Sequence, residues 1–331
     1  MSNLHSGVAA PEVAPPRQQS TLATSIPVSS RRLREFGLPL LLLALSTLTT
    51  TAIGARFMHN FLLGLPTLAS DDDLWPWPWL FLHPRSLSLG WPFSLTLLAI
   101  LLTHEFGHYF ACRAHGIRAT LPWVLPAPTL SGTAGAIIQI QGHIPSRRAL
   151  VDIGAYGPLA GYIVSLFAIA AGLTLSHPMP VSAPHGMIGF GEPLTIHFLA
   201  AILHAADFHH SLYHPVLVAG WIGLFVTALN LIPGGQLDGG HLLYAISPSL
   251  HRWSTRLLPF TLLLLGIFVW VGWALWGAML LIPVMRRHPR IPVDEPLGNP
   301  RILACALSLL IFVLTFAAEP FLGNSLVQYL R

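Results

Sequence analysis

The stretch LLTHEFGHYFAC, Leu101 to Cys112, sets His104, Glu105 and His108 into an otherwise apolar segment. Residues four apart on a helix stand on one face, so the two imidazoles can bind a single metal ion. Glu105 beside them is placed to activate a metal-bound water. The pattern is HExxH, which a chain of this composition produces by chance roughly 0.02 times, so its occurrence is informative. The alternative is a pair of core histidines with a hydrogen-bonded carboxylate. Energy argues against it: an unpaired ionisable group at a bilayer centre costs on the order of 3 kcal/mol, and three together call for a metal, water or mutual pairing.

Two histidines leave a catalytic zinc site incomplete, because such sites use three protein ligands and an open position. The best third ligand lies in NLIPGGQLDGGH, Asn230 to His241, where Asp238 is the carboxylate near the end of an apolar segment. Asp152 stands beside Arg147 and Arg148 and can simply pair with them, while Glu192, Asp207 and Glu319 lie toward the far side or near chain ends. His143 and His241 sit near the motifs, but a lone His is more often structural.

These residues need elements to hold them, and composition says which kind. The 331 residues are 53% hydrophobic and 9% charged, with a mean hydropathy of +0.63. That is membrane-protein composition. All 17 basic residues are Arg, and Arg gathered on cytoplasmic loops accounts for the net charge of +4 without an anionic partner such as nucleic acid. Cys112 and Cys305, far apart and in or beside apolar segments, indicate no disulfide framework.

Candidate spans fall at about 36–56, 91–112, 150–175, 214–233 and 302–322, each near the roughly 20 residues a bilayer needs. The stretch 257–285 is interrupted at Val271-Gly272-Trp273 and reads as a hairpin, which returns Arg286, Arg287 and Arg290 to the cytoplasmic side. The expected fold is an all-α polytopic membrane protein of about 6–7 transmembrane helices. Residues 1–30 read as a disordered cytoplasmic tail, 31–90 as the first transmembrane helix and an extracytoplasmic loop, 91–245 as the catalytic core, and 246–331 as C-terminal transmembrane helices. In this topology the second and fourth spans run the same way, bringing His104, His108 and Asp238 to one depth. Pro233, Gly234 and Gly235 break the helix just before Asp238, and irregular backbone at membrane depth belongs where it lines a wet cavity.

Between the second and third spans, Ile117 to Ile144 is rich in Pro, Gly and β-branched residues. It predicts a small membrane-associated β-region of short strands, with Ala136 to Ile140 as an edge strand. Gly132 and Gly135 would let another backbone approach, so an extended peptide can be added there.

HEFGH in one apolar segment, followed by Asn230-x-x-Pro233-x-x-x-Leu237-Asp238-Gly239, resembles the site-2 protease family of zinc intramembrane proteases. The resemblance covers about 91–245. It implies one Zn2+ per chain on His104, His108 and Asp238, with Glu105 as general base and acid and Asn230 near the substrate carbonyl or its oxyanion. It also implies cleavage of transmembrane protein substrates within the lipid bilayer, and the expected location is a bacterial inner membrane with the site toward the cytoplasm. A membrane metal transporter or zinc-handling protein is the rival from another class, motivated by 17 His.

Overall fold

The computed structural model describes residues 36–179, 189–205, 208–286, 288, 291, 295–322 and 327. The expected tail at 1–30, and Arg287 and Arg290 after the expected hairpin, lie outside the described residues. The first helix, α1 (Leu38–Leu62), begins with Pro39 in its first turn, where the missing amide costs nothing. A 3-10 turn at Asp71–Leu74, a short helix α2 (Trp77–Leu82) and a second 3-10 segment, Pro84–Gly90, lead into α3 (Trp91–Ala114). Asp73 lies in the interior. Its fully buried carboxylate accepts from Asn60 Nδ2 at 2.9 Å, from the Ala69 and Ser70 amides, and pairs with Arg56.

After α3 come four strands: β1 (Arg118–Ala119), β2 (Trp123–Pro126), β3 (Thr133–Ile137) and β4 (Ile140–Gln141). They form two antiparallel pairs, β1 with β4 and β2 with β3, the latter in register Trp123↔Ile137 and Val124↔Ala136 with a shift before Pro126↔Thr133. The β-region is therefore present, but the expected strand over 136–140 is divided between β3 and β4. The hairpin docks on α1: Ser46 Oγ donates to the Val124 carbonyl and Thr49 Oγ1 to the Gly132 carbonyl.

Helix α4 (Arg147–Leu175) opens on a Ser146 cap that accepts from the Ala149 amide. Past β5 (His177–Pro178) and β6 (Gly189–Phe190), α5 (Leu194–Leu203) occupies a region with no helix expected from the sequence, followed by β7 (Ser211–Leu212). Then α6 (Pro215–Asn230) leads through a turn to α7 (Asp238–Ile246). The interrupted stretch is two helices, α8 (Pro248–Phe268) and α9 (Gly272–Leu280), whose close approaches pair Gly266 with Ala274 and Gly277 with Pro259. That pairing is the antiparallel hairpin expected from the break. The short α10 (Pro283–Arg286), then α11 (Asn299–Thr315) and β8 (Phe321–Leu322) are the last of the described elements.

Among the described residues, three helical segments are long and apolar enough to cross a membrane: Leu38–Leu62, Pro84–Ala114 and Arg147–Leu175. Leu194–Leu203, Pro215–Asn230 and Asn299–Thr315 are apolar but shorter. The main core joins α1, α3, α4 and α6 through buried Phe57, Phe93, Leu97, Ile169, Leu217 and Trp221. Both cysteines are free, Cys112 buried and Cys305 half-buried.

Candidate metal centre

The histidine pair is oriented by the helix beside it. His108 Nδ1–H donates to the Ile153 carbonyl of α4 at 2.6 Å. A carbonyl only accepts, so the proton sits on Nδ1 and the Nε2 lone pair is left for a ligand. Ile153 carries no mark of this role in the sequence, because a backbone carbonyl has no side-chain signature.

Glycines on α4 make room for both rings. A Cβ on Gly157 would overlap the His108 imidazole, and one on Gly161 would come within 3.0 Å of His104 Nδ1. The Gly157-x-x-x-Gly161 spacing signals close helix packing. What packs into it are the candidate ligands themselves.

Asp238 arrives from the other side of the chain. Helix α6 ends at Asn230, and Pro233 with Gly235, at φ 58°, turns the backbone into α7. Gly239 and Gly240 let α7 fold back against that turn, since a Cβ on Gly239 would overlap the Leu231 carbonyl. The turn is pinned by Ser254, which donates to the Pro233 carbonyl, and by His251 Nε2 donating to the Gly235 carbonyl at 2.9 Å. Asp238 thus occupies the first turn of α7, where the helix dipole favours its charge.

There its Oδ2 lies 3.4 Å from His104 Nε2 and 3.4 Å from His108 Nε2. A tetrahedral zinc with bonds of about 2.05 Å separates its ligand atoms by about 3.3 Å, so these donors fit the ion. The ligand atoms of His104, Glu105 and His108 lie within 4.8 Å of one another, and all three residues are buried. Asn230 Nδ2 is 3.2 Å from His104 Nε2, and the Ile138 backbone amide approaches the Glu105 carboxyl from the strand region. The structure therefore brings together His104, Glu105, His108, Asn230 and Asp238.

The two expected substrate glycines differ. Gly132 (φ 77°) lies against Thr49 and Thr50, so the backbone it admits is that of α1. Gly135 (φ 101°) has open space where a Cβ would stand. Asp152 pairs neither with Arg147 nor with Arg148. Its carboxylate instead binds Arg301 Nη2 at 2.6 Å and His115 Nε2 at 2.8 Å, joining α4 to α11 and to the end of α3. Arg147 turns instead to the last carbonyls of α7, those of Ala245 and Ile246. His143 is exposed, and His241 Nδ1 meets His288 Nε2 at 2.8 Å.

A family model described as peptidase family M50, the site-2 protease family, matches residues 92–269. The chain belongs to peptidase family M50. This M50 chain is 34% identical over 68% of its length to a probable zinc metalloprotease, chloroplastic, of Arabidopsis thaliana, covering 42% of that protein. A protein of the same name from Oryza sativa subsp. japonica is 32% identical over 68% of the chain and 40% of its own length. A second Arabidopsis thaliana relative, also named a probable zinc metalloprotease, chloroplastic, is 27% identical over 77% of the chain and 45% of its length. The chain spans about two fifths of the length of these relatives. Because they are chloroplastic proteins of plants, the bacterial inner membrane expected from the sequence is corrected, and they point to a chloroplast membrane. Hydropathy and arginine placement report a bilayer and a charge asymmetry, and both organelle and bacterial membranes satisfy them.

Proposed function

We propose that this chain is a zinc-dependent intramembrane endopeptidase that hydrolyses peptide bonds in or near transmembrane segments of membrane-protein substrates. The observation that carries this reading is the placement of one Asp238 oxygen at 3.4 Å from both histidine Nε2 atoms, with Glu105 beside them. His104, His108 and Asp238 would hold one zinc per chain. The reading takes the chain as crossing the bilayer about 6–7 times, with 91–245 as the catalytic unit, 31–90 and 246–331 as flanking membrane segments, and lipid as its surroundings.

Zinc held there supplies Lewis acidity toward a water and the scissile carbonyl. Glu105 takes the water proton and later returns it to the leaving amine. Asn230 donates to the oxyanion that develops on the attacked carbonyl. A helical substrate buries its carbonyls in the i to i−4 ladder, so the peptide must be drawn out straight first. The outer edge of β3, the open space at Gly135 and the Ile138 amide near Glu105 offer an extended segment a line of backbone partners. Gly132 supports this strand indirectly by seating the hairpin on α1.

The test is Glu105→Gln in reconstituted membranes with a transmembrane substrate. Zinc content should stay at one per chain while cleavage falls by roughly 10²–10⁴-fold, the usual worth of a general base. Cleavage at the normal rate would refute the assignment. The rival reading, a metal transporter, is favoured instead if liposomes show zinc flux and several ions bind per chain.

A further inference from the structure

A cavity of about 670 Å3 lies between α7, α11 and the start of α4. Leu242 and Leu243 of α7, Leu309 and Phe312 of α11, and Leu231 give it an apolar lining. Two polar side chains line it as well. Ser308 is 1% exposed, and its hydroxyl has no hydrogen-bond partner among the described residues. Arg147 spends three of its five N–H groups on the carbonyls of Ala245, Ile246 and Glu295. Among the described residues no carboxylate pairs with it.

These groups are ordered along α11. Cys305 lies beside Arg147, Ser308 follows one turn on, and Phe312 the turn after. At 1.5 Å per residue those steps are about 4.5 and 6 Å. The sequence cation, hydroxyl donor, hydrocarbon wall matches phosphate, ester carbonyl and acyl chain in a glycerophospholipid. Basic pockets between transmembrane helices recognise such head groups. A peptide helix fits less well, since its carbonyls are already engaged and it brings no phosphate to Arg147.

We propose that this cavity binds one acyl chain of an anionic glycerophospholipid, with the phosphate on Arg147 and an ester carbonyl accepting from Ser308. Leu231 and Gly239, both lining the cavity, are the chain neighbours of Asn230 and Asp238, so the lipid would brace the turn that carries both. Lipid binding here stands apart from proteolysis.

Native mass spectrometry of the full chain, stripped of lipid in neutral detergent and titrated with phosphatidylglycerol or phosphatidylcholine of identical acyl chains, tests it. Phosphatidylglycerol should bind several-fold more tightly, because the choline ammonium of phosphatidylcholine partly neutralises the phosphate that Arg147 holds. Ser308→Ala should weaken both lipids several-fold, and Ala306→Trp, which fills the cavity from α11, should abolish retention in protein that still melts cooperatively. Equal retention of the two lipids would overturn the proposal, as would Ser308→Ala binding like the parent. Capture of a transmembrane peptide by a photoreactive group at position 309 in lipid-loaded protein would reassign the cavity to substrate.

Discussion

The histidine pair depends on atoms that a motif does not display. His108 points its Nε2 at Asp238 because Nδ1–H is held by the Ile153 carbonyl, and because Gly157 has no side chain where the ring lies. Gly157→Ala should therefore displace the ring while sparing the helix, whose propensity Ala improves. Zinc affinity should fall by about 10–100-fold, as for other losses of ligand support. Isothermal titration with zinc measures this, and an unchanged affinity would show that the ring has another place to go. At this scale His104, Glu105, His108 and Asp238 were legible in the sequence, since ionisable groups in apolar segments stand out. Ile153 was not, and Gly132 misled, because a glycine announces close approach without saying which backbone approaches.

Among the elements, helix ends carry the instructive detail. His214 caps α6, its Nδ1 accepting from the Val216 amide at 3.3 Å while its own amide donates to Ser176 Oγ. Burial first, and His177 second, lower its pKa from the ordinary 6.5. The folded form thus carries the neutral ring, which is also the form able to accept. Its contribution is full above about pH 6.5 and is lost as pH falls through the depressed folded value. Thermal unfolding followed between pH 7.5 and 5 should show that loss, and His214→Asn, which caps at every pH, should flatten this part of the profile. A parallel profile in the variant would rule the cap out as the cause. The spans at α1, α3 and α4 and the break between α8 and α9 were readable from apolar run length and from Val271-Gly272-Trp273. Helix α5 was not, because ten residues, Leu194–Leu203, among scattered histidines give too short a periodic signal.

For the whole molecule, long-range ionic contacts decide how the outer helices meet the core. Arg301 and His115 converge on Asp152, one residue before the carbonyl that orients His108. Arg301→Gln and Asp152→Asn should each cost about 2 kcal/mol, between the exposed and fully buried cases. The double variant should cost less than the sum, and additive losses in denaturant unfolding would show that the pair is not coupled. No sequence rule links positions 149 apart, so nearby Arg147 and Arg148 were the natural but wrong partners for Asp152. Under the proposed function α3 and α7, more than a hundred residues apart, close one tetrahedral zinc site. Anomalous diffraction at the zinc edge on the purified protein addresses it most directly. One zinc peak per chain is predicted, about 2.0–2.2 Å from His104 Nε2, His108 Nε2 and an Asp238 oxygen. A peak bound to the histidines with Asp238 turned away, or no zinc between α3 and α7, would contradict the account.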